Sequence, residues 1–151
     1  MMIGFDQVGR SKYCFRQAHR KPDKDRAEIP PPEYSRSGLR VFRHKGSGYL
    51  ICANGVMGYR DTQRNPVEPD QVEVCKAFLR RCVANEKINK RSPSSYTLKH
   101  VCENWARRVG VGGYCSNGAL ITAALELGII VWPYGEGPNA AIGVRRVDVE
   151  G

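Results

Sequence analysis

Long apolar runs are missing from this 151-residue sequence. No stretch approaches the 18 or more apolar residues that a membrane-spanning helix needs, and the first ten residues lack the apolar centre of a signal peptide. These absences predict a cytoplasmic protein with no membrane partner.

Motifs that identify an enzyme are also missing. The sequence contains neither GxGxxG nor a P-loop, so nucleotide hydrolysis has little support. It has no Ser/His/Asp arrangement and no acidic pair at a helical or strand spacing. His100 and Cys102, two apart on a predicted helix, point about 200° away from each other and cannot act together. The sequence therefore predicts a protein that is not an enzyme, with no catalytic residues and no cofactor.

The sequence has six cysteines but no CxxC, which removes the commonest zinc signature. Their irregular spacing, in a reducing cytosol, indicates free thiols rather than a disulfide framework. Cys75 and Cys82 fall on the apolar face of a predicted helix, where they are interpreted as small core residues. No metal site is predicted, since one would need scattered Cys and His side chains to converge in space.

Acidic residues are scarce beside basic ones. Lys and Arg number 24 and Asp and Glu 15, which gives a net charge of +9. This balance favours nucleic acid, an acidic protein surface or an anionic membrane face. The excess is concentrated in residues 10–26, with seven basic and two acidic side chains, and in residues 76–108, with nine and two.

The chain divides into a basic, Pro-rich N-terminal arm, residues 1–38, and a single α+β domain, residues 39–151. Pro30, Pro31 and Pro32 impose an extended connection on the arm. Short apolar runs in residues 39–60 then predict a three-stranded meander, in which Asn54 and Gly55 form a type I′ turn.

Three helices and a β-hairpin follow in the order of a winged helix-turn-helix. The first helix is predicted over residues 70–87, the second from Ser94 or Ser95 to Gly110, and the third from Ser116 or Asn117 to Gly128. The third helix carries no cation, whereas a base-reading helix normally presents Arg, Lys, Asn or Gln. It is therefore interpreted as a buried structural helix.

The cations of the arm and of the first two helices form the predicted binding surface. A solvated tail and a solvated cationic face are the alternatives that the composition leaves open. The predicted nucleic-acid or partner-binding residues are Arg10, Lys12, Arg16, Arg20, Lys21, Lys76, Arg80, Lys87, Lys90, Arg91, His100, Asn104, Arg107 and Arg108.

Residues 94–144 contain the stretches SSYTLKHVCENWA, YCSNGALITAALELGI and GPNAAIGV. Their pattern, Ser-Tyr-x-Leu-Lys-His, then Tyr-x-Ser-Asn-Gly, an Ala-rich helix and Pro-Asn-Ala, resembles that of small uncharacterised proteins of phages and bacterial mobile elements. The chain departs from it in an insertion, RVGVGG, before Tyr114. The resemblance covers about the last third of the chain and implies a mobile-element setting in a bacterial host. It implies no particular activity and no catalytic residue for this chain.

These observations predict a small basic protein that binds DNA or RNA mainly through the phosphate backbone. The alternative is an anti-CRISPR-like inhibitor that binds an acidic surface of a host defence or nucleic-acid-processing complex. The oligomeric state is left open.

Overall fold

The computed structural model describes residues 29–58 and 65–145. It confirms the predicted α+β order of a meander, three helices and a C-terminal hairpin. The strands are β1 (Glu33–Tyr34), β2 (Arg40–His44), β3 (Ser47–Cys52), β4 (Gly55–Gly58), β5 (Val131–Pro133) and β6 (Ala140–Ile142). The helices are α1 (Pro69–Leu79), α2 (Ser95–Val109) and α3 (Asn117–Glu126).

The meander has four antiparallel strands in sequence order, one more than predicted. The added strand, β1, lies inside the segment interpreted as an arm and pairs Glu33 with Val41 of β2. The type I′ turn was placed wrongly at Asn54 and Gly55. Positive φ at two successive residues, which that turn requires, occurs instead at Lys45 (49°) and Gly46 (83°), between β2 and β3.

Helix α1 begins at Pro69, which needs no N–H partner there, and ends at Leu79 rather than near residue 87. Beyond Leu79, the backbone of residues 83–85 pairs with residues 143–145 instead of continuing the helix. Asn85 N–H donates to Gly143 O, and Arg145 N–H donates to Val83 O, each over 2.8 Å. These bonds satisfy the backbone groups that a longer helix would have used.

Helices α2 and α3 begin as predicted, each after a serine cap. Ser94 Oγ accepts the Thr97 N–H, and Ser116 Oγ accepts the Ala119 N–H. Helix α2 ends at Val109 and is capped by Gly110, whose φ of 76° favours glycine.

Helix α3 forms the centre of the fold. Its first eight residues are buried, and it packs against α1, α2 and both sheets. The interpretation of this helix as a buried structural element is therefore confirmed. Among the helices of the described residues, none is long and apolar enough to cross a membrane.

Candidate functional site: a tyrosine-rimmed pocket above a buried thiol cluster

The predicted binding residues are not gathered in one place. Five of them, in the N-terminal segment, lie outside the described residues: Arg10, Lys12, Arg16, Arg20 and Lys21. Between α1 and α2, Lys87, Lys90 and Arg91 are all exposed. This short segment is the largest group of exposed cations close together in sequence among the predicted residues that the structure describes.

The predicted residues on α1 and just after it, Lys76 and Arg80, lie beside other charged side chains of the protein. Lys76 is mostly buried and forms ion pairs with Glu126 of α3 and Glu73 of its own helix. The hydrogen bond to Glu126 raises the pKa of Lys76. Arg80 is exposed, beside Arg81, whose guanidinium lies 5.8 Å from the centre of the Trp105 ring. Lys76 is thus committed to holding α1 against α3.

On α2 the predicted polar residues interact mainly with one another. Asn104 Oδ1 accepts a hydrogen bond from Arg107 over 2.8 Å. The His100 ring meets the edge of the Tyr96 ring, with 4.5 Å between centres. Arg107 and Arg108 are exposed in the last turn of α2, where cations interact favourably with the helix dipole.

A pocket of about 850 Å³ opens between the β3–β4 turn, the start of α2, the segment before α3 and the β5–β6 turn. Tyr96 and Tyr114 are more than half exposed at its rim. The Lys99 ammonium lies 4.8 Å from the centre of the Tyr114 ring and 5.9 Å from that of Tyr96. The described residues that line the pocket are Tyr49, Cys52, Ala53, Asn54, Val56, Met57, Gly58, Tyr96, Lys99, Tyr114, Asn117, Pro133, Gly135, Gly137, Pro138 and Asn139.

Asn117 joins the two turns that form one side of the pocket. Its side-chain amide Nδ2 donates to Asn54 O (2.8 Å), Pro138 O (3.2 Å) and Asn139 Oδ1 (2.9 Å). Pro138 O also accepts the N–H of Val56 over 2.9 Å. Because one buried side chain fixes both turns to the start of α3, the shape of the pocket depends on it.

Glu103 holds the cation of the pocket in place. Its carboxylate accepts from Lys99 Nζ (3.0 Å) and the Cys115 N–H (3.0 Å), and its other oxygen lies 3.1 Å from His100 Nδ1. Burial alone would raise the pKa of Glu103, but the Cys115 N–H, Lys99 and His100 together hold it below the ordinary value. Glu103 therefore keeps its charge and fixes Lys99 beside the tyrosines.

Beneath the pocket, three cysteines meet in the core. Cys102 Sγ lies 3.7 Å from Cys115 Sγ and 3.9 Å from Cys75 Sγ, and all three sulfurs lie within 4.8 Å of one another. Hydrogen bonding from Cys102, and then from Cys75, lowers the pKa of Cys115 to about 4. The pKa values of Cys75 and Cys102 are raised, mainly by hydrogen bonding within the cluster.

Sequence reasoning missed most of this site. Of the predicted binding residues, His100 touches its wall through Tyr96, but none lines the pocket. Seven lining residues nevertheless fall within the three stretches SSYTLKHVCENWA, YCSNGALITAALELGI and GPNAAIGV, namely Tyr96, Lys99, Tyr114, Asn117, Gly137, Pro138 and Asn139.

The architecture and pocket define a small basic α+β protein with an open pocket. Comparisons of the chain with protein-family models, with curated proteins and with solved structures find no match. Its function is therefore argued from the chemistry of the site.

Proposed function

We propose that this protein binds single-stranded nucleic acid, with a base in the pocket and phosphates on exposed cations outside it. The observation that carries the proposal is the pair of exposed rings, Tyr96 and Tyr114, with the Lys99 ammonium beside both. None of the described residues that line the pocket is acidic.

Unpaired bases bind proteins by this combination of groups. A base can stack on an exposed tyrosine whatever its identity, because every base has a π-face, and exposed cations outside the pocket can bind the adjoining phosphates. The pocket volume of about 850 Å³ suits a nucleotide, since small-molecule sites typically span about 300–1,000 Å³.

A second aromatic site lies on β5. Trp132 is exposed, with Lys45 Nζ 4.0 Å from the ring centre and His44 packed against its edge at 4.8 Å. The next residue, Pro133, lines the pocket, and Tyr134 beyond it is again exposed. Trp132 and Lys45 thus form a second pairing of a ring with a cation, outside the pocket lining.

Exposed cations elsewhere supply the non-specific part of binding. Lys87, Lys90 and Arg91 are exposed between α1 and α2, and the whole chain carries a net charge of +9. When such cations neutralise phosphates, counterions bound to the nucleic acid are released, and the affinity therefore depends strongly on salt concentration.

Fluorescence anisotropy with labelled DNA and RNA strands of about 12 nucleotides tests the proposal, since single-stranded sites commonly span about 4–16 nucleotides. We expect micromolar or tighter binding at low salt, weaker binding to a duplex, and affinity that falls as salt rises. Tyr96→Ala and Tyr114→Ala should each weaken binding about tenfold, within the range for one stacked base.

Tyr34→Ala is the matched control, because Tyr34 is exposed to a similar degree but lies on β1, outside the pocket lining. Its affinity should equal that of the wild type. Absence of binding to every single strand at low salt would overturn the proposal, as would equal losses in all three tyrosine variants.

A protein partner is the second candidate, favoured by two exposed valines at the end of α2, Val109 and Val111. An inhibitor of a host complex would use such apolar side chains together with the neighbouring Arg107 and Arg108. Affinity purification from nuclease-treated bacterial lysate distinguishes the two candidates, because only the inhibitor keeps a stoichiometric protein partner after nucleic acid is removed.

A further inference from the structure

The three cluster cysteines have the spacing of ligands around one metal ion. Sulfur ligands lie about 2.3 Å from zinc, so two such sulfurs are about 3.8 Å apart at tetrahedral angles and about 4.0 Å apart at trigonal angles. Cys102 Sγ lies 3.7 Å and 3.9 Å from the other two sulfurs, close to these values, and the third pair lies within 4.8 Å. The three residues are 27 and 13 positions apart in sequence, so the fold alone brings them together.

The other two cysteines in the described part of the chain behave differently. Cys52 and Cys82 are also buried, but each directs its thiol at a backbone carbonyl, that of Gly55 and that of Phe78, over 3.7 Å. A carbonyl partner is the ordinary way to satisfy a buried thiol donor. Cys75, Cys102 and Cys115 instead converge on one another, as ligands of a shared ion do.

We propose that Cys75, Cys102 and Cys115 together bind one soft, thiophilic metal ion. Thiolates favour copper(I) and zinc(II) over hard cations such as magnesium and calcium. Copper(I) suits the site better, because it accepts three sulfur ligands, whereas structural zinc takes four and the cluster has no fourth ligand among the described His, Cys, Asp and Glu side chains. Each thiol that ligates the ion releases its proton to solvent.

The ion would fasten three parts of the core. Cys75 lies on α1, Cys102 on α2, and Cys115 directly before the serine cap of α3. All three side chains are at most 1% exposed, so the ion would enter as the chain folds rather than through an open channel. Cys115 also follows the pocket residue Tyr114, so the ion would steady the rim of the pocket from beneath.

The test is metal retention after refolding. The full-length reduced chain is refolded from denaturant with one equivalent of copper(I), and separately of zinc(II), then desalted and its metal content measured by mass spectrometry. We expect about one copper ion per wild-type chain, thiolate-to-metal absorption in the near ultraviolet, and less retention of zinc.

Cys82→Ala is the matched control, because it also removes a completely buried sulfur but lies outside the cluster. It should retain the ion, whereas Cys102→Ala and Cys115→Ala should lose it while circular dichroism shows them folded. The wild-type result stands even if a variant fails to fold. A wild-type chain that retains neither ion overturns the proposal, and so does equal retention by folded Cys102→Ala and Cys115→Ala.

Discussion

The side-chain amide of Asn117 donates to Asn139 Oδ1 over 2.9 Å, which joins the first residue of α3 to the residue before β6. The two residues are 22 positions apart and both line the pocket. Both the stability of the fold and the shape of the pocket therefore depend on the Asn117 side chain.

Asn117→Ala should therefore destabilise the protein and distort the pocket. The variant leaves the carbonyls of Asn54 and Pro138 without the amide that now serves them, at a cost of about 2 kcal/mol in the free energy of unfolding. Urea denaturation measures it. Asn104→Ala is the control, since Asn104 is exposed, and should change stability by less than about 0.5 kcal/mol. Equal effects of the two substitutions would contradict this account.

Gly118→Ala should be among the most damaging single substitutions. A Cβ at Gly118 would lie 1.8 Å from Cys52 O, against backbone that cannot move aside cheaply. We expect a loss of about 3 kcal/mol or more, seen as a thermal midpoint about 6–12 °C lower. Gly58→Ala, whose Cβ would meet nothing within 4 Å, should leave the midpoint nearly unchanged. A stable, unshifted Gly118→Ala variant would show that the two segments do not pack as described.

The loss of stability caused by Glu103→Gln should depend on pH. It leaves the buried Lys99 without its carboxylate, at a cost of about 3 kcal/mol at neutral pH. The folded-state pKa of Glu103 lies below its ordinary 4.5, so the carboxylate's contribution is complete above that value and is lost as pH falls through the folded-state pKa. The stability gap between wild type and variant, measured by urea titration, should narrow below pH 4.5. A gap that stays constant with pH would contradict the assignment.

Combined replacement of Lys87, Lys90 and Arg91 by Ala should weaken nucleic-acid binding without changing stability. These side chains are exposed, and for every phosphate that is no longer neutralised, the slope of log affinity against log salt should fall by about 0.7 for a single strand. Anisotropy at several salt concentrations measures the slope. Neutralising the exposed Arg36, Arg43 and Arg145 instead removes the same charge, and an equal reduction in slope would indicate that net charge alone sets affinity.

The order of elements was predictable because its signals are local. Serine caps, Gly110 and apolar periodicity mark α2 and α3 within a few residues of their ends. The end of α1 was not predictable in this way, since Cys82 and Val83 continue its apolar spacing. What ends the helix is pairing of residues 83–85 with residues 143–145, about 60 positions away, and no local pattern contains that competition.

The pocket and the thiol cluster escaped prediction for the same physical reason. Charge can be counted along a sequence, so the predicted binding residues are mostly cations. The pocket is built from side chains of four separate segments, and the cluster from cysteines at irregular intervals. Only tertiary packing brings Lys99 beside Tyr114, or Cys75 beside Cys102. Motifs defined by sequence spacing detect metal ligands that lie on one structural element, but not ligands that come from three separate elements.

Because the cluster thiols are buried, the rate at which a reagent labels them reports how often the core opens. A thiol-modifying reagent cannot reach a sulfur in a side chain that is at most 1% exposed until the surrounding helices separate, so labelling of Cys75, Cys102 and Cys115 records each opening of the core. Cys75 and Cys102 come from different helices, and their labelling at one shared rate would mean that α1 and α2 part in a single event. Different rates would identify the helix that leaves first.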